Sequence, residues 1–167
     1  MSTMTGPLEQ AEVQLIDVHH CLGAAVESCW WPDNIHLTKT YGQSIPPIEA
    51  NPERLEAVFH NLLSNAVQAM RLEGGQIQIS TRHTPENQVK ITFNDNGPGI
   101  PPELQQRVFN PGVSGKTGGL GIGLWLVETF IHQFNGTIDF VSTENEGTTF
   151  TVTLPLVETK QQYPENS

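Results

Sequence analysis

"LEAVFHNLLSNAVQAMRLEGGQIQIS" (residues 55–80) decides the fold, because the spacing of its apolar residues changes once along its length. In the first part, apolar residues recur every three or four positions and form one helix face: Leu55, Val58, Phe59, Leu62, Ala66 and Met70. Gly74 and Gly75 end this pattern, and "QIQIS" then alternates with the period of two that is typical of a strand. The stretch predicts a long helix that leads into a sheet.

Capping signals frame two helices. Asn51 is the predicted N-cap of the long helix, and Pro52 fits its first position because a proline lacks the N–H that would be unpaired there. Asp17 is the predicted N-cap of an earlier helix that stops at Trp31-Pro32. A third helix is predicted over residues 124–134, closed by Asn135-Gly136 as a left-handed cap.

Period-two alternation predicts the sheet. Strands are expected at residues 35–40, 76–80, 89–94, 137–142 and 148–155, with a short helical segment at 102–109. This order of helices and strands indicates an α+β protein: a two-layer α/β sandwich whose mixed, largely antiparallel sheet is covered by helices on one face. We expect one domain over residues 11–157, with disordered ends at 1–10 and 158–167.

The composition excludes several classes of protein. Eighteen acidic and eight basic residues give a formal net charge of −10, and the basic residues do not cluster, which argues against a nucleic-acid partner. No apolar run approaches the roughly 20 residues that cross a bilayer, and the N-terminus lacks the pattern of a signal peptide. Cys21 and Cys29 are interpreted as reduced packing residues. We therefore expect a soluble, cytoplasmic domain, whose parent protein is either free or membrane-anchored.

Carboxamides form a polar stripe on the long helix. Asn61, Asn65 and Gln68 are spaced by four and three residues, so they lie on one side of it. Asparagine is a poor helix former, which calls for a reason for two of them in mid-helix. One explanation is a hydrogen bond to a neighbouring loop; the other is that a carboxamide oxygen contacts a hard cation such as Mg²⁺.

A carboxylate ends the strand at residues 89–94. Asp95 shares the parity of the apolar residues Val89, Ile91 and Phe93, so it is expected to point toward the core side of the sheet, where a carboxylate needs a donor. The segment "NDNGPGI" that contains it is compatible with a simple Asx turn. The alternative is an acceptor at the bottom of a pocket for the amino group of a ligand.

A glycine-rich segment, "KTGGLGIGLWLV" (residues 116–127), leads into the third helix. It is not a Walker A loop, because Asn110 stands where the first glycine is required, and the spacing of a dinucleotide fingerprint also fails. A flexible loop before a helix start can present amides to phosphates, and Lys116 could add a mobile charge. Further along, Thr148 shares the inward parity of Phe150, so its hydroxyl needs a partner whether it is an ordinary strand residue or part of a site.

Five segments, in order, resemble the motifs of the nucleotide-binding domain of sensor histidine kinases. "NLLSNAVQAM" resembles the N box, "DNGPGI" the first glycine box, "RVFNP" the F box, "GGLGIGL" the second glycine box and "EGTTF" the last glycine-threonine box. The resemblance covers roughly residues 13–156, and "NAVQAM" is most similar to the nitrogen-regulation type. It implies a Bergerat ATP-binding fold of the GHKL group, with ATP and Mg²⁺ as cofactors.

The resemblance also implies roles for individual residues. Asn65 would coordinate Mg²⁺ beside Asn61, and Asp95 would accept the adenine amino group, with Thr148 near the same ring. Phe109 would anchor the lid over the phosphates, and Lys116 would reach the γ-phosphate. The remaining implied nucleotide contacts are Gly97, Gly99 and Ile100 on the adenine side and Gly119, Leu120, Gly121, Gly123 and Leu124 in and after the lid.

Position 61 separates two kinds of activity. Hydrolysing members of the GHKL group have a water-activating glutamate there, whereas asparagine cannot act as a general base. The resemblance thus implies that Asn61 and Lys116 serve transfer of the γ-phosphoryl group to a histidine. None of the six histidines lies in an acceptor motif, so the acceptor is expected on a separate dimerisation domain, with a response regulator downstream and the isolated domain monomeric. A nucleotide-gated switch without catalysis and an anti-sigma-type serine kinase are the alternatives.

Overall fold

The computed structural model describes residues 12–111 and 123–157. Four helices lie within these ranges: α1 (Val18–Ser28), α2 (Pro52–Met70), α3 (Pro102–Gln105) and α4 (Leu124–Gln133). The strands are β1 (Gln14–Ile16), β2 (Ile35–Thr40), β3 (Ile48–Ala50), β4 (Gly75–His83), β5 (Gln88–Asp95), β6 (Thr137–Thr143) and β7 (Gly147–Pro155).

The predicted helix caps are confirmed. The Asp17 carboxylate accepts hydrogen bonds from the first amides of α1, and the Asn51 side chain accepts one from the Arg54 amide, 2.9 Å away. At the end of α4, Asn135 takes the left-handed conformation with φ 65°. The Gly136 amide then donates to the carbonyl of Ile131, which closes the helix.

Five strands form the main sheet in the order β2-β4-β5-β7-β6. Only β2 and β4 pair in parallel; the three other pairs are antiparallel. Along β4, Ile77 and Ile79 are buried while Gln76 and Gln78 are exposed, so one face carries the core and the other is polar. The predicted mixed, largely antiparallel sheet with helices on one face is confirmed.

The core lies between that apolar face and the helices. The long helix α2 packs between α1 and α4, and its Phe59 is fully buried against Phe93 of β5, with ring centroids 5.7 Å apart. The predicted apolar face of α2 is confirmed except that Ala66 is only partly buried, while Leu63 and Val67 join the core. Within the described residues no helix is long and apolar enough to cross a membrane.

Two local features differ from the sequence prediction. The small antiparallel sheet of β1 and β3 was not predicted, because three-residue strands are too short to show a period. The helix predicted at 102–109 ends at Gln105. Its end is set by tertiary contacts: the Gln105 side chain bonds the carbonyls of Ile100 and Ser142, and Phe109 turns to pack on Phe140.

A partly buried histidine joins α1 to the sheet. The His19 ring stacks on Tyr41 with centroids 4.2 Å apart and planes 3° apart, and its Nε2 lies 2.8 Å from Thr81 Oγ1. Burial lowers the pKa of His19 from its usual value of 6.5, and the neighbouring Asp17 carboxylate only partly opposes this. The folded protein therefore holds His19 neutral at pH 7.

We expect His19 to make the fold less stable in acid. Because the pKa of His19 is lowered in the folded state, its protonation reduces the free energy of unfolding. The contribution of neutral His19 to stability is therefore complete above about pH 6.5 and is lost as pH falls through the lowered pKa. Urea denaturation at pH 7.5 and 5.5 should show that the free energy of unfolding falls more between these two pH values in wild type than in His19→Gln. Equal losses in the two proteins would show that His19 does not titrate in this way; His132→Gln, at an exposed position, is the control.

Candidate functional site

Several elements converge at one end of the sandwich. Here β5 ends at Asp95, β7 begins at Gly147 and β6 ends at Thr143. In the antiparallel register Asp95 is the direct partner of Thr148, so their side chains project from the same face of adjacent strands. The end of α2 reaches the same place, because a side chain on Gly97 would lie 2.8 Å from Cγ of Met70.

Asp95 is a partly buried acceptor. Its Oδ1 accepts a hydrogen bond from the Gly97 amide at 2.9 Å. Burial raises the pKa of this carboxyl, while hydrogen bonds from the backbone amides of Gly97 and Thr148 act in the opposite direction. The two amides hold the carboxylate in place, but they replace only part of the hydration that it would have in water. A further hydrogen-bond donor from a ligand would therefore stabilise the ionised form of Asp95.

The Thr148 hydroxyl has a partner that the sequence reading missed. Its Oγ1 lies 2.9 Å from Oγ of Ser142 on β6, and the same Ser142 oxygen accepts from the Ile100 amide at 2.7 Å. Ser142 therefore ties the segment after β5 to the start of β7. It shares the parity of Ile138 and Phe140, and a polar residue at an inward position is the signal that could have revealed it.

Gly97 and Gly99 are required by packing within the chain. Gly97 is buried between Met70 and Asp95. Gly99 has φ +77°, in the left-handed region, and a side chain there would collide with the backbone of Thr143. The two glycines bring the chain directly after Asp95 against the end of β6, next to the candidate site.

The helices place the carboxamides at the same end. The helix α2 runs toward the end of the sheet that contains Asp95. The helix α4 runs away from that end. This follows because β6, the next strand after α4, starts at Thr137 opposite Thr153, in the half of β7 that is farther from Asp95. The far ends of the two helices meet where Arg54 donates to Gln133 at 2.6 Å. Because α2 and α4 pack antiparallel, the start of α4 lies toward Asn61 and Asn65.

The three carboxamides of α2 differ in exposure. Asn61 is buried, with 4 % of its surface exposed, Asn65 is half-buried and Gln68 is exposed. Asn61 donates to the carbonyl of Ala57 one turn earlier, at 3.1 Å. Its Oδ1 has no hydrogen-bond partner within the described ranges. A buried carboxamide oxygen without a donor suits a hard cation or an ordered water, so the residues present fit Mg²⁺.

The F-box segment is fixed to the sheet. Phe109 packs edge-on against Phe140, with ring centroids 5.9 Å apart, and Phe140 in turn contacts Phe150. Ile100 and Phe109 are both partly buried against the core. Phe109 is therefore held on β6, close to the end of the first described range.

The second described range opens at the start of α4. Gly123 is the N-cap of α4, and a side chain there would approach the Trp125 ring at 3.0 Å. Leu124 and Trp125 are partly buried against the core, which explains why a large residue is accommodated at position 125. Lys116, Gly119, Leu120 and Gly121, and the two chain ends predicted to be disordered, lie outside the described residues.

The structure places part of the predicted set close together and orients α2 toward it. Asp95, Thr148 and the two glycines after Asp95 form one end of the sheet. Asn65 lies five residues before Met70, which is about 7–8 Å along the helix axis, and Asn61 lies about 6 Å further back. A strand-end carboxylate and helix carboxamides thus border one end of a two-layer α/β sandwich.

This fold is that of a GHKL-type module. Residues 50–158 match the family described as "Histidine kinase-, DNA gyrase B-, and HSP90-like ATPase", and the chain belongs to this family. Within it the chain is of the sensor histidine kinase type, with similarity to the nitrogen-regulation subgroup.

Individual relatives agree with this placement. The chain is 40 % identical over 141 residues to the "Sensory histidine kinase/phosphatase NtrB" of Salmonella typhimurium, covering 79 % of this chain and 40 % of that protein. It is 35 % identical over 127 residues to the "Sensor histidine kinase ZraS" of the same organism, covering 76 % of this chain and 27 % of that protein. The chain thus spans less than half the length of these curated relatives.

A solved structure shows the same architecture. The nucleotide-free catalytic domain of the histidine kinase ThkA superimposes with a TM-score of 0.72 at 25 % identity, covering 87 % of this chain and 96 % of that one. Its agreement over nearly its whole length confirms the fold expected from the five sequence motifs.

Proposed function

We propose that this chain binds Mg-ATP and supplies the γ-phosphoryl group to a histidine on a separate dimerisation domain, as the catalytic part of a two-component sensor kinase. The observation that carries the proposal is the pairing of Asp95 with Thr148 on adjacent strands, at the end of the sheet toward which α2 brings Asn65. Membership of the ATPase family and the similarity to NtrB support it.

Asp95 and Thr148 would hold the adenine ring. The adenine amino group is a donor, and Asp95 is a partly desolvated acceptor that keeps lone pairs beyond those used by backbone amides. Thr148, fixed by Ser142, would contact the same ring directly or through water. The nucleotide would then extend from the strand ends toward the carboxamides of α2.

Asn65 would hold Mg²⁺, with the Asn61 oxygen beside it. Carboxamide oxygens are hard ligands, and a magnesium site usually includes substrate phosphates and waters rather than a full set of protein ligands. When bound, the ion would neutralise charge on the phosphates during transfer. The side chains of this chain would orient the triphosphate, and Lys116 is proposed to add a positive charge near the γ-phosphate.

Asn61 favours transfer over hydrolysis. A carboxamide is not a base at neutral pH, so it cannot take a proton from water as a glutamate would. A histidine acceptor needs no such base, because a neutral imidazole nitrogen already has a lone pair that can attack the phosphorus. We therefore expect slow ATP hydrolysis by the isolated chain, and we propose that its partners are a histidine-bearing dimerisation domain and, downstream, a response regulator.

Phosphotransfer can be tested directly. The chain would be mixed with a dimerisation-domain fragment that contains an acceptor histidine, together with γ-labelled ATP and Mg²⁺. We expect acid-labile, base-stable label on the fragment, as phosphohistidine requires. Nucleotide binding without labelled fragment would favour a non-catalytic switch, whereas acid-stable label would indicate a serine kinase.

We expect Asn65→Ala to remove the part of ATP affinity that depends on Mg²⁺. The reason is that the carboxamide oxygen is lost while the adenine contacts at Asp95 remain. Calorimetric titration of ATP with Mg²⁺ and with EDTA would measure this, with Gln78→Ala, an exposed carboxamide on the outer face of the sheet, as the control. The assignment fails if wild type and Asn65→Ala respond equally to the metal.

A further inference from the structure

Three polar side chains lie in a row across the strands at the proposed base site. Asp95 of β5 is the direct partner of Thr148 of β7, and Thr148 is in turn the direct partner of Ser142 of β6. Directly opposed residues of antiparallel strands project from the same face of a sheet. Because β7 lies between β5 and β6, Ser142 is one strand farther from Asp95 than Thr148 is. Ser142 can therefore act on a base bound at Asp95 through Thr148.

The hydroxyl proton of Ser142 has two possible acceptors. The Ile100 amide, which can only donate, already occupies one lone pair of Ser142 Oγ at 2.7 Å. The proton of Ser142 can then go to Thr148 Oγ1 at 2.9 Å or to the Gly147 carbonyl at 3.3 Å. Hydrogen bonds between two oxygens prefer a distance of about 2.5–3.0 Å, so Thr148 is the better acceptor.

This direction leaves the hydroxyl proton of Thr148 available to a ligand. Thr148 is buried, with 6 % of its surface exposed, and within residues 12–111 and 123–157 the structure gives its Oγ1 one partner, Ser142. A buried hydroxyl proton without an acceptor costs free energy, so an acceptor atom on a ligand would be favourable there. The carboxylate of Asp95, on the neighbouring strand, is an acceptor. The row thus offers a ligand one acceptor and one donor side by side.

An adenine ring has the complementary pattern on one edge. Its 6-amino group donates, and the neighbouring ring nitrogen N1 accepts. A 6-oxopurine such as guanine has the reverse pattern, with an acceptor at position 6 and an N1–H donor. An ionised carboxylate cannot become a donor, whereas a freely rotating hydroxyl can change its role. The selectivity of the row therefore depends on what fixes the direction of the Thr148 hydroxyl.

We propose that Ser142 is a positioning residue that sets the donor direction of Thr148 and thereby contributes to the selection of adenine over 6-oxopurines. The inference rests on the proposed function, because it concerns the base of the same nucleotide. The Ile100 amide donates to Ser142, Ser142 donates to Thr148, and Thr148 donates to N1 of the ring, directly or through one water. Hydrogen bonds in such a chain strengthen one another. Ser142 itself does not contact the base.

The backbone at Ser142 is also held by contacts that do not use its hydroxyl. The Gln105 side chain donates to the carbonyl of Ile100 at 2.9 Å and to the carbonyl of Ser142 at 3.2 Å. In Ser142→Ala these contacts remain, while the Ile100 amide loses its acceptor and Thr148 loses the donor that fixes its direction. A general weakening of the segment would lower the affinity for every nucleotide alike, whereas the proposed role concerns N1 alone.

The test compares ATP with 1-deaza-ATP, in which N1 is replaced by C–H, by calorimetry in the presence of Mg²⁺. We expect wild type to bind ATP about two- to tenfold more tightly than 1-deaza-ATP, as the loss of one hydrogen bond between neutral groups implies. The two affinities should become nearly equal in Ser142→Ala and in Thr148→Val. The wild-type ratio should persist in Ser142→Thr, which keeps a hydroxyl, and in Gln105→Leu, which removes only the contacts to the backbone. Urea denaturation would establish that each variant is folded.

The outcomes separate this inference from the proposed function. A Ser142→Ala protein that keeps the wild-type ratio of affinities would overturn the inference, and so would a wild type that binds both nucleotides equally. Either result would leave the proposed function intact, because ATP would still bind and Asp95→Asn would still weaken its binding. If wild type bound neither nucleotide, the proposed function would fail and the inference would fail with it.

Discussion

Asp95→Asn should weaken ATP binding about ten- to a hundredfold, the loss that corresponds to a hydrogen bond to a charged group of about 1.5–3 kcal/mol. The structure gives the reason. The Gly97 amide needs the oxygen of residue 95 as its acceptor, so an asparagine would place Oδ1 there and turn its own NH₂ group toward the ligand. Two donors would then face each other where an acceptor and the adenine amino group are proposed to meet.

The same substitution separates binding from folding. Burial raises the pKa of Asp95, so the ionised form is disfavoured in the fold, and a neutral asparagine should not lower the stability at pH 7. For Asp95→Asn, calorimetry should therefore show a lower affinity for ATP, while urea denaturation should show no decrease in the free energy of unfolding. Asp139→Asn, an exposed carboxylate on β6, is the matched control. Unchanged ATP affinity in Asp95→Asn would refute the adenine assignment.

Phe59→Ala should lower the free energy of unfolding by about 3–5 kcal/mol, which is typical for a buried aromatic side chain replaced by alanine. Phe59 is fully buried at the centre of α2 and contacts the Phe93 ring of β5. Its removal would leave a cavity where the helical layer meets the sheet. Because single domains are stable by only about 5–15 kcal/mol, this loss is a large part of the total.

Urea denaturation would measure this effect. Leu72→Ala is the control, because Leu72 is 91 % exposed, and it should change stability by less than about 0.5 kcal/mol. Phe59→Leu should fall between the two, since leucine refills part of the cavity. If Phe59→Ala were as stable as Leu72→Ala, the packing of α2 on β5 described above would be wrong.

Long periodic segments were predictable, and short ones were not. The helix α2 and the strand β5 repeat their pattern over eight or more residues, so their positions were evident from the sequence, whereas β4 was predicted at 76–80 and extends to His83. The strands β1 and β3 have three residues each and form only because they pair with each other. Likewise, the helix after Pro102 ends early because Gln105 and Phe109 find partners on β6.

The candidate site shows the same division. Asp95, Asn61 and Asn65 stand out in the sequence as candidates, since each is a polar residue at a position where the local period or helix propensity argues against it. Ser142 was missed, although it holds both Thr148 and the Ile100 amide. Its importance depends on which strands are neighbours, and a local pattern does not contain that information.

By itself, the sequence determined the type of each long element, the inward direction of Asp95 and Thr148, and the family, because these follow from periodicity and motif order along one chain. Only the tertiary structure decided that β5 and β7 are adjacent and that α2 and α4 run antiparallel. It also decided that Cys29, predicted to be a packing residue, lies beside His60. The physical reason is that strand pairing and helix packing join residues far apart in the chain, and their free energy depends on both partners at once.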